Sequence, residues 1–197
     1  MKDVIDHYDK LIDESNDPVL DPKPLKEYMD KWDGDAFIES MCLNESKSVL
    51  EIGVGTGRLA LKVAPRCKRF YGIDISPKTV QRASQNLSSC LNVKLICDDF
   101  MTVNFSERFD VIYSSLTFMH IADKLSCIEK IASLLDDNGI LVLSLDKTKN
   151  DTIDMGTRKI KIYPDDPDEI LEFISRVDLK LINVFETEFA HVVVSKK

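Results

Sequence analysis

The stretch VLEIGVGTGRLA, residues 49–60, places three glycines, Gly53, Gly55 and Gly57, in five positions directly after an apolar run. The pattern predicts a buried strand that ends in a tight turn and passes straight into a helix. Glycine suits such a turn because it adopts positive φ without steric cost and lets another group approach the backbone. In an open parallel sheet, the carboxyl end of a strand at this kind of turn is where a ligand binds.

Working outward, short apolar runs recur at SVLEIG (48–53), RFYGIDI (69–75), VKLIC (93–97), FDVIYSS (109–115) and ILVLSL (140–145). Helical patterns lie between most of them. Ser76-Pro77 predicts a helix start, with serine as cap and proline in the first turn. Val80, Ala83, Leu87 and Leu91 follow at helical spacing, and Leu125, Ile128, Ile131, Ala132 and Leu135 repeat it before a stop at residues 136–139. Apolar strands alternating with helices imply a parallel sheet covered on both faces, with right-handed crossovers, hence a doubly wound α/β fold. The polar excursion 147–165 holds one expected short strand, RKIKIY, and a helix is expected from Asp166-Pro167 to Val177. The nearly contiguous runs 179–189 and 190–197 must pair as a hairpin, so the sheet ends with an antiparallel strand. Residues 1–46 read as a helical cap segment, broken at NDPVLDPKP (16–24) and at Asp33-Gly34-Asp35. Residues 47–197 form the α/β unit.

The composition, 44% hydrophobic and 30% charged, is that of a globular protein, and no apolar run is long enough for a membrane helix. The charged N-terminal residues carry no secretory signal pattern. The five cysteines are scattered outside any CxxC or Cys/His cluster, which suggests neither a disulfide framework nor a metal site and fits a reducing cytoplasm. The net charge is −8, and residues 1–46 carry all of it, with 5 basic and 13 acidic side chains. Such a segment argues against a nucleic-acid groove, which needs clustered Lys and Arg. It can steer a cationic substrate or serve as a solvated surface.

Asp74, with Ile75 beside it, ends the second strand about 17 residues past Gly57. A carboxylate there can accept both hydroxyls of an adenosine ribose. NAD, FAD and S-adenosylmethionine share that requirement. Dinucleotide sites favour GxGxxG, but here Arg58 takes the sixth place. Glu51, two residues before the first glycine, would repel a pyrophosphate and could hold the ammonium of a methionine moiety.

These residues resemble the class I S-adenosylmethionine-dependent methyltransferases, the seven-strand Rossmann-like family, over about residues 47–197. The resemblance implies that Gly53, Gly55 and Gly57 form the cofactor loop and that Asp74 binds its ribose. It places Asp98-Asp99 at the adenine amine, with Phe100 as an apolar contact. FDVIYSSLTFMHI is similar to the family's fourth-strand block, which sets Ser114 to Leu116 beside the methionine part. The expected reaction is methyl transfer to a small-molecule acceptor, leaving S-adenosylhomocysteine, with no metal, nucleic-acid or membrane partner. The family's Asn/Asp-Pro-Pro-aromatic turn for exocyclic amines is replaced here by SSLTF, and no Pro-Cys nucleophile occurs. His120, after the fourth strand, is the candidate general base, and Tyr8 and Trp32 of the cap are candidate walls of the cofactor pocket. An NAD-dependent oxidoreductase or epimerase, or a non-catalytic adenosyl-binding module, are the competing readings.

Overall fold

The computed structural model describes residues 2–197, so Met1, the first residue of the expected cap segment 1–46, lies outside the described residues. Three helices come first: α1 (Lys2–Asp13), α2 (Lys23–Met29) and α3 (Gly34–Glu39). The breaks between them fall in the proline-bearing stretch and at Asp33, whose carboxylate accepts the Gly34 amide at 2.7 Å and opens α3.

The strand–helix alternation then follows as β1 (Ser48–Ile52), α4 (Ala60–Val63), β2 (Arg69–Asp74), α5 (Pro77–Asn86), β3 (Val93–Cys97) and β4 (Phe109–Ser115). It continues through α6 (Lys124–Leu134), β5 (Leu135–Asp146), a separate hairpin of β6 (Thr152–Asp154) and β7 (Lys159–Lys161), α7 (Pro167–Arg176), β8 (Lys180–Glu186) and β9 (Ala190–Lys196). The main sheet has seven strands in the order β3-β2-β1-β4-β5-β9-β8. The first five are parallel, and β9 runs antiparallel between β5 and β8. This is the expected doubly wound sheet with its antiparallel final strand. The strand order reverses between β1 and β4, which opens a crevice at their carboxyl ends.

Strand alternation divides the core into two layers. Leu50 and Ile52 of β1 pack with Ile128 and Ile131 of α6 and with Ile170 and Ile174 of α7. Val49, one residue out of phase, packs on the other face with Phe37 of α3, Val63 of α4 and Ala83 of α5. Glu51 shares that second face by the same period of two. Its parallel partner in the register is Tyr113 of β4.

The helix starts follow their caps: the Ser76 hydroxyl accepts the Thr79 amide at 3.2 Å, and Asp123 accepts the Ser126 amide at 3.0 Å. Three local expectations change. The helix after the glycine loop is only 4 residues long and runs into a 3-10 turn, Ala64–Arg66, which contains Pro65 and its missing amide. Residues 136–139 do not simply stop α6; they already belong to β5, which pairs Leu135 with Phe109 and shifts register before Ile140 meets Val111. The excursion forms two strands rather than one, with Thr152 opposite Lys161. Pairing with the distant strand β4 decides the change at residues 136–139, whereas β6 and β7 pair with each other as a local hairpin.

Candidate functional site

A cavity of about 1210 Å³ opens at the crevice, and residues following each of the five parallel strands contribute to its wall. At one end lies the glycine loop. Gly53 and Val54 donate their amides to the Ile73 carbonyl at 2.8 and 3.0 Å, which ties the loop to the end of β2. Gly53 has φ +78°, and a Cβ there would lie 1.9 Å from the Thr117 hydroxyl oxygen, so only glycine fits. Gly55 has φ +56° and open space where its side chain would be. That vacant backbone facing a cavity is a cradle for a ligand.

Asp74 is held from below by amides: Gly55 donates to one oxygen and Ser76 to the other, each at 3.0 Å. Burial nevertheless raises its pKa, with those amides opposing the shift. Ile75, Asp98, Asp99 and Phe100 continue the wall past β2 and β3. Glu51 is 3% exposed and accepts the Tyr113 hydroxyl at 2.9 Å. Burial pushes its carboxyl well above the usual range, only partly offset by the Tyr113 hydrogen bond and the nearby Arg58 charge.

Two expected contact residues stand elsewhere. Ser114 is fully buried, and its hydroxyl donates to the Ile52 carbonyl at 3.0 Å within the sheet. The chain leaves the sheet one residue later, so Ser115, Leu116 and Thr117 form the wall instead. Leu116 takes φ 56°, a left-handed conformation that is costly for a branched side chain. Gly57 faces away from the cavity and makes room for Leu87, whose Cδ1 would be 3.1 Å from an added Cβ.

Beyond the loop, α1 crosses the cavity and is anchored by three consecutive residues. His7 accepts the Arg158 Nε–H at 3.1 Å next to the β6–β7 hairpin. Tyr8 shares a 2.7 Å hydrogen bond with Nε2 of His120. Asp9 accepts the Ser76 hydroxyl at 2.7 Å and the Lys78 amide at 3.1 Å, which places a carboxylate at the positive end of α5. His120 and Tyr8 both line the cavity. Burial drives the His120 imidazole down to about 4, so it is neutral near pH 7, and its Nδ1 has no partner among the described residues. Burial also raises the Tyr8 phenol.

The rest of the cap is tethered through residues whose roles were not legible in sequence. Arg58 pairs with Asp30 at 3.1 Å and with Asp33, and Asp33 also accepts the Ser115 hydroxyl at 2.8 Å. The loop arginine therefore holds α2 and α3 against the glycine turn. Trp32 lines the cavity, donates its indole N–H to Asp146 and packs on Phe189 with ring centroids 4.7 Å apart. Asp146 lies outside the expected set, although an acid closing the apolar run ILVLSL stands at a strand's carboxyl end as Asp74 does.

Comparison with known proteins agrees with this geometry. Residues 43–178 match the model of a methyltransferase domain family. Malonyl-[acyl-carrier protein] O-methyltransferase 1 of Ilyobacter polytropus is 32% identical over 99 residues, 49% of this chain and 37% of that protein. A relative from Methanosarcina mazei named as a ribosomal RNA small subunit methyltransferase A is 30% identical over 84 residues, 43% of this chain and 31% of its own length. The chain thus spans well under half the length of these two relatives. Among solved structures, magnesium protoporphyrin IX methyltransferase from Synechocystis PCC 6803 superposes with a TM-score of 0.75 at 16% identity, covering 98% of this chain and 95% of that one, which shows a shared fold. Fold, glycine loop and family match converge: the chain belongs to the methyltransferase domain family and carries its active-site crevice on a Rossmann-like sheet.

Proposed function

We propose that this protein methylates a small-molecule acceptor held in the same cavity as the cofactor, leaving S-adenosylhomocysteine. The observation that carries the reading is a single cavity of about 1210 Å³ with two unlike ends. Sites for one drug-sized ligand occupy roughly 300–1,000 Å³, so this one has room for a cofactor and a second molecule. The glycine-loop end fits an adenosyl ligand without phosphate. Gly55 offers open backbone, Asp74 would hold the ribose hydroxyls, and Asp98 or Asp99 the adenine amine, with Phe100 against the ring. Glu51 would hold the methionine ammonium. When bound, the cofactor supplies a methyl group on a sulfonium sulfur.

The chain's own residues then align, shield and assist. The α1 cap and the β6–β7 hairpin exclude water from the acceptor end, and alignment is the main protein contribution to such a displacement. His120, neutral and hydrogen-bonded to Tyr8, would accept a proton from the acceptor. A duplex or RNA acceptor is disfavoured by the acidic cap, whose charge opposes a phosphate backbone. Five unpaired cysteines support a reducing compartment such as the cytoplasm. No helix among the described residues is long and apolar enough to cross a membrane.

Calorimetric titration with S-adenosylmethionine, S-adenosylhomocysteine and NAD, on the wild type and Asp74→Ala, tests the reading. Micromolar binding of both adenosyl ligands, lost in the variant, supports it. Binding of NAD alone, or of none of the three, overturns it.

A further inference from the structure

The acceptor end has an unusual electrical character. Among the described residues, nine carboxyl groups line the cavity, against two basic side chains, Arg58 and Lys161. Arg58 is already engaged with Asp30 and Asp33. Lys161 lies over the Tyr163 ring, 5.0 Å from its centroid. Glu51, Asp74, Asp98 and Asp99 sit at the cofactor end, whereas Asp146 belongs to the other end, at the mouth of β5.

Asp146 is fixed by neutral donors on both oxygens. Oδ2 accepts the Trp32 indole N–H, and Oδ1 accepts the Thr148 amide at 2.5 Å. No ion pair to it occurs among the described residues, while its carboxylate borders the cavity and so does the Trp32 ring. Phe189 and Tyr28 pack on Trp32 and fix the ring's position, with centroids 4.7 and 5.5 Å away. A rigid carboxylate beside an aromatic ring in a partly dehydrated cavity is a surface that an ammonium satisfies twice, by ion pairing and by attraction to the π face. An anionic head group would find Lys161 as its only uncommitted cation in the cavity wall among the described residues and would face the carboxyl excess. A neutral one would leave the Asp146 charge without a counter-ion. The acidic cap enlarges the same field outside the cavity and steers cations toward its mouth.

We propose that the acceptor is an amine that arrives as its ammonium and docks on Asp146 beside the Trp32 ring. It must then give one proton to neutral His120, so that the freed nitrogen lone pair takes the methyl group as the bond to the sulfonium sulfur breaks. The inference rests on the methyl-transfer reading, since it assigns the part of the cavity that the cofactor leaves free.

The test is equilibrium binding to the full chain saturated with S-adenosylhomocysteine, with three probes of like shape and different charge: 2-phenylethylammonium, 2-phenylethanol and 3-phenylpropionate. The ammonium should bind about tenfold tighter than the alcohol, as a single partly buried ion pair provides, and the carboxylate weakest. Added salt should narrow the gap. Asp146→Asn should erase most of the discrimination, and Trp32→Phe, which keeps an aromatic face, should retain part of it. If Asp146→Asn does not fold, the charge series on the wild type and on Trp32→Phe decides. Equal binding of the three probes, preference for the carboxylate, or retention of none overturns the inference. Failure of S-adenosylhomocysteine itself to bind is a separate result and refutes the methyl-transfer reading instead.

Discussion

Cofactor binding should release a proton, and Glu51 should be its source. In the unliganded protein this carboxyl is 3% exposed, accepts one hydrogen bond from Tyr113 at 2.9 Å, and is pushed well above the usual carboxylate range by burial. Arg58 favours its ionised form, whereas Asp33 and Asp74 oppose it. An ammonium brought against it favours ionisation strongly. A charge-assisted hydrogen bond is worth about 1.5–3 kcal/mol, and 1.36 kcal/mol corresponds to one pH unit, so the midpoint should fall by roughly one to two units on binding. At a pH between the free and bound midpoints the carboxyl loses its proton on binding, so raising the pH there favours the complex. Affinity should climb about tenfold per pH unit between the bound and free midpoints, and level off above. The ligand's own amino group sets the upper limit, because it must stay protonated to pair with Glu51. Titrating S-adenosylhomocysteine at several pH values, in buffers of different ionisation enthalpy, counts the protons released. The wild type should release up to one, and Glu51→Gln none. Flat affinity with no proton release, or release that persists in Glu51→Gln, would refute the reasoning.

Other expectations follow from single contacts. Gly53→Ala puts a methyl 1.9 Å from the Thr117 hydroxyl at φ +78°; the variant should melt lower and bind the cofactor at least tenfold more weakly in a titration. Asp74→Asn keeps one acceptor for the Gly55 and Ser76 amides but loses the charge, so adenosyl affinity should fall by about 1.5–3 kcal/mol with a smaller change in denaturation midpoint. Lys124 and Asp165 form a buried pair with side chains 6% and 1% exposed. Lys124→Ala should cost about 3–5 kcal/mol in urea unfolding, and Lys124→Met with Asp165→Leu should recover much of it. His120 has a folded pKa near 4 against 6.5 unfolded, so protons bind the unfolded chain more readily between those values. Stability should be full above pH 6.5 and fall by about 3 kcal/mol toward pH 4, a loss that His120→Gln removes from the thermal-melt profile.

Much of this protein is legible in its linear order. The alternation of apolar runs with capped helices specifies the doubly wound sheet, because a strand buried on both faces has to be apolar throughout. The glycine spacing at Gly53 and Gly55, and the acid at Asp74, are equally visible, since a positive φ and a strand-end carboxylate have few other uses at those places. Leu116 carries a positive φ without a glycine to announce it, and nothing local distinguishes Ser114 from Ser115. Which hydroxyl faces the sheet and which meets Asp33 depends on where β4 leaves its neighbours.

The cap shows the division most clearly. Its helical pattern, its acidity and its aromatic residues are written in residues 1–46. That His7, Tyr8 and Asp9 reach the hairpin, His120 and Ser76 respectively, and that Trp32 meets Asp146, spans separations of 67 to 151 residues. Local chemistry dictates which elements form, because propensity, capping and periodicity act within a few residues. Contacts across the crevice exist only once the sheet has brought the strand ends together, so tertiary packing alone decided which side chains enclose the cavity.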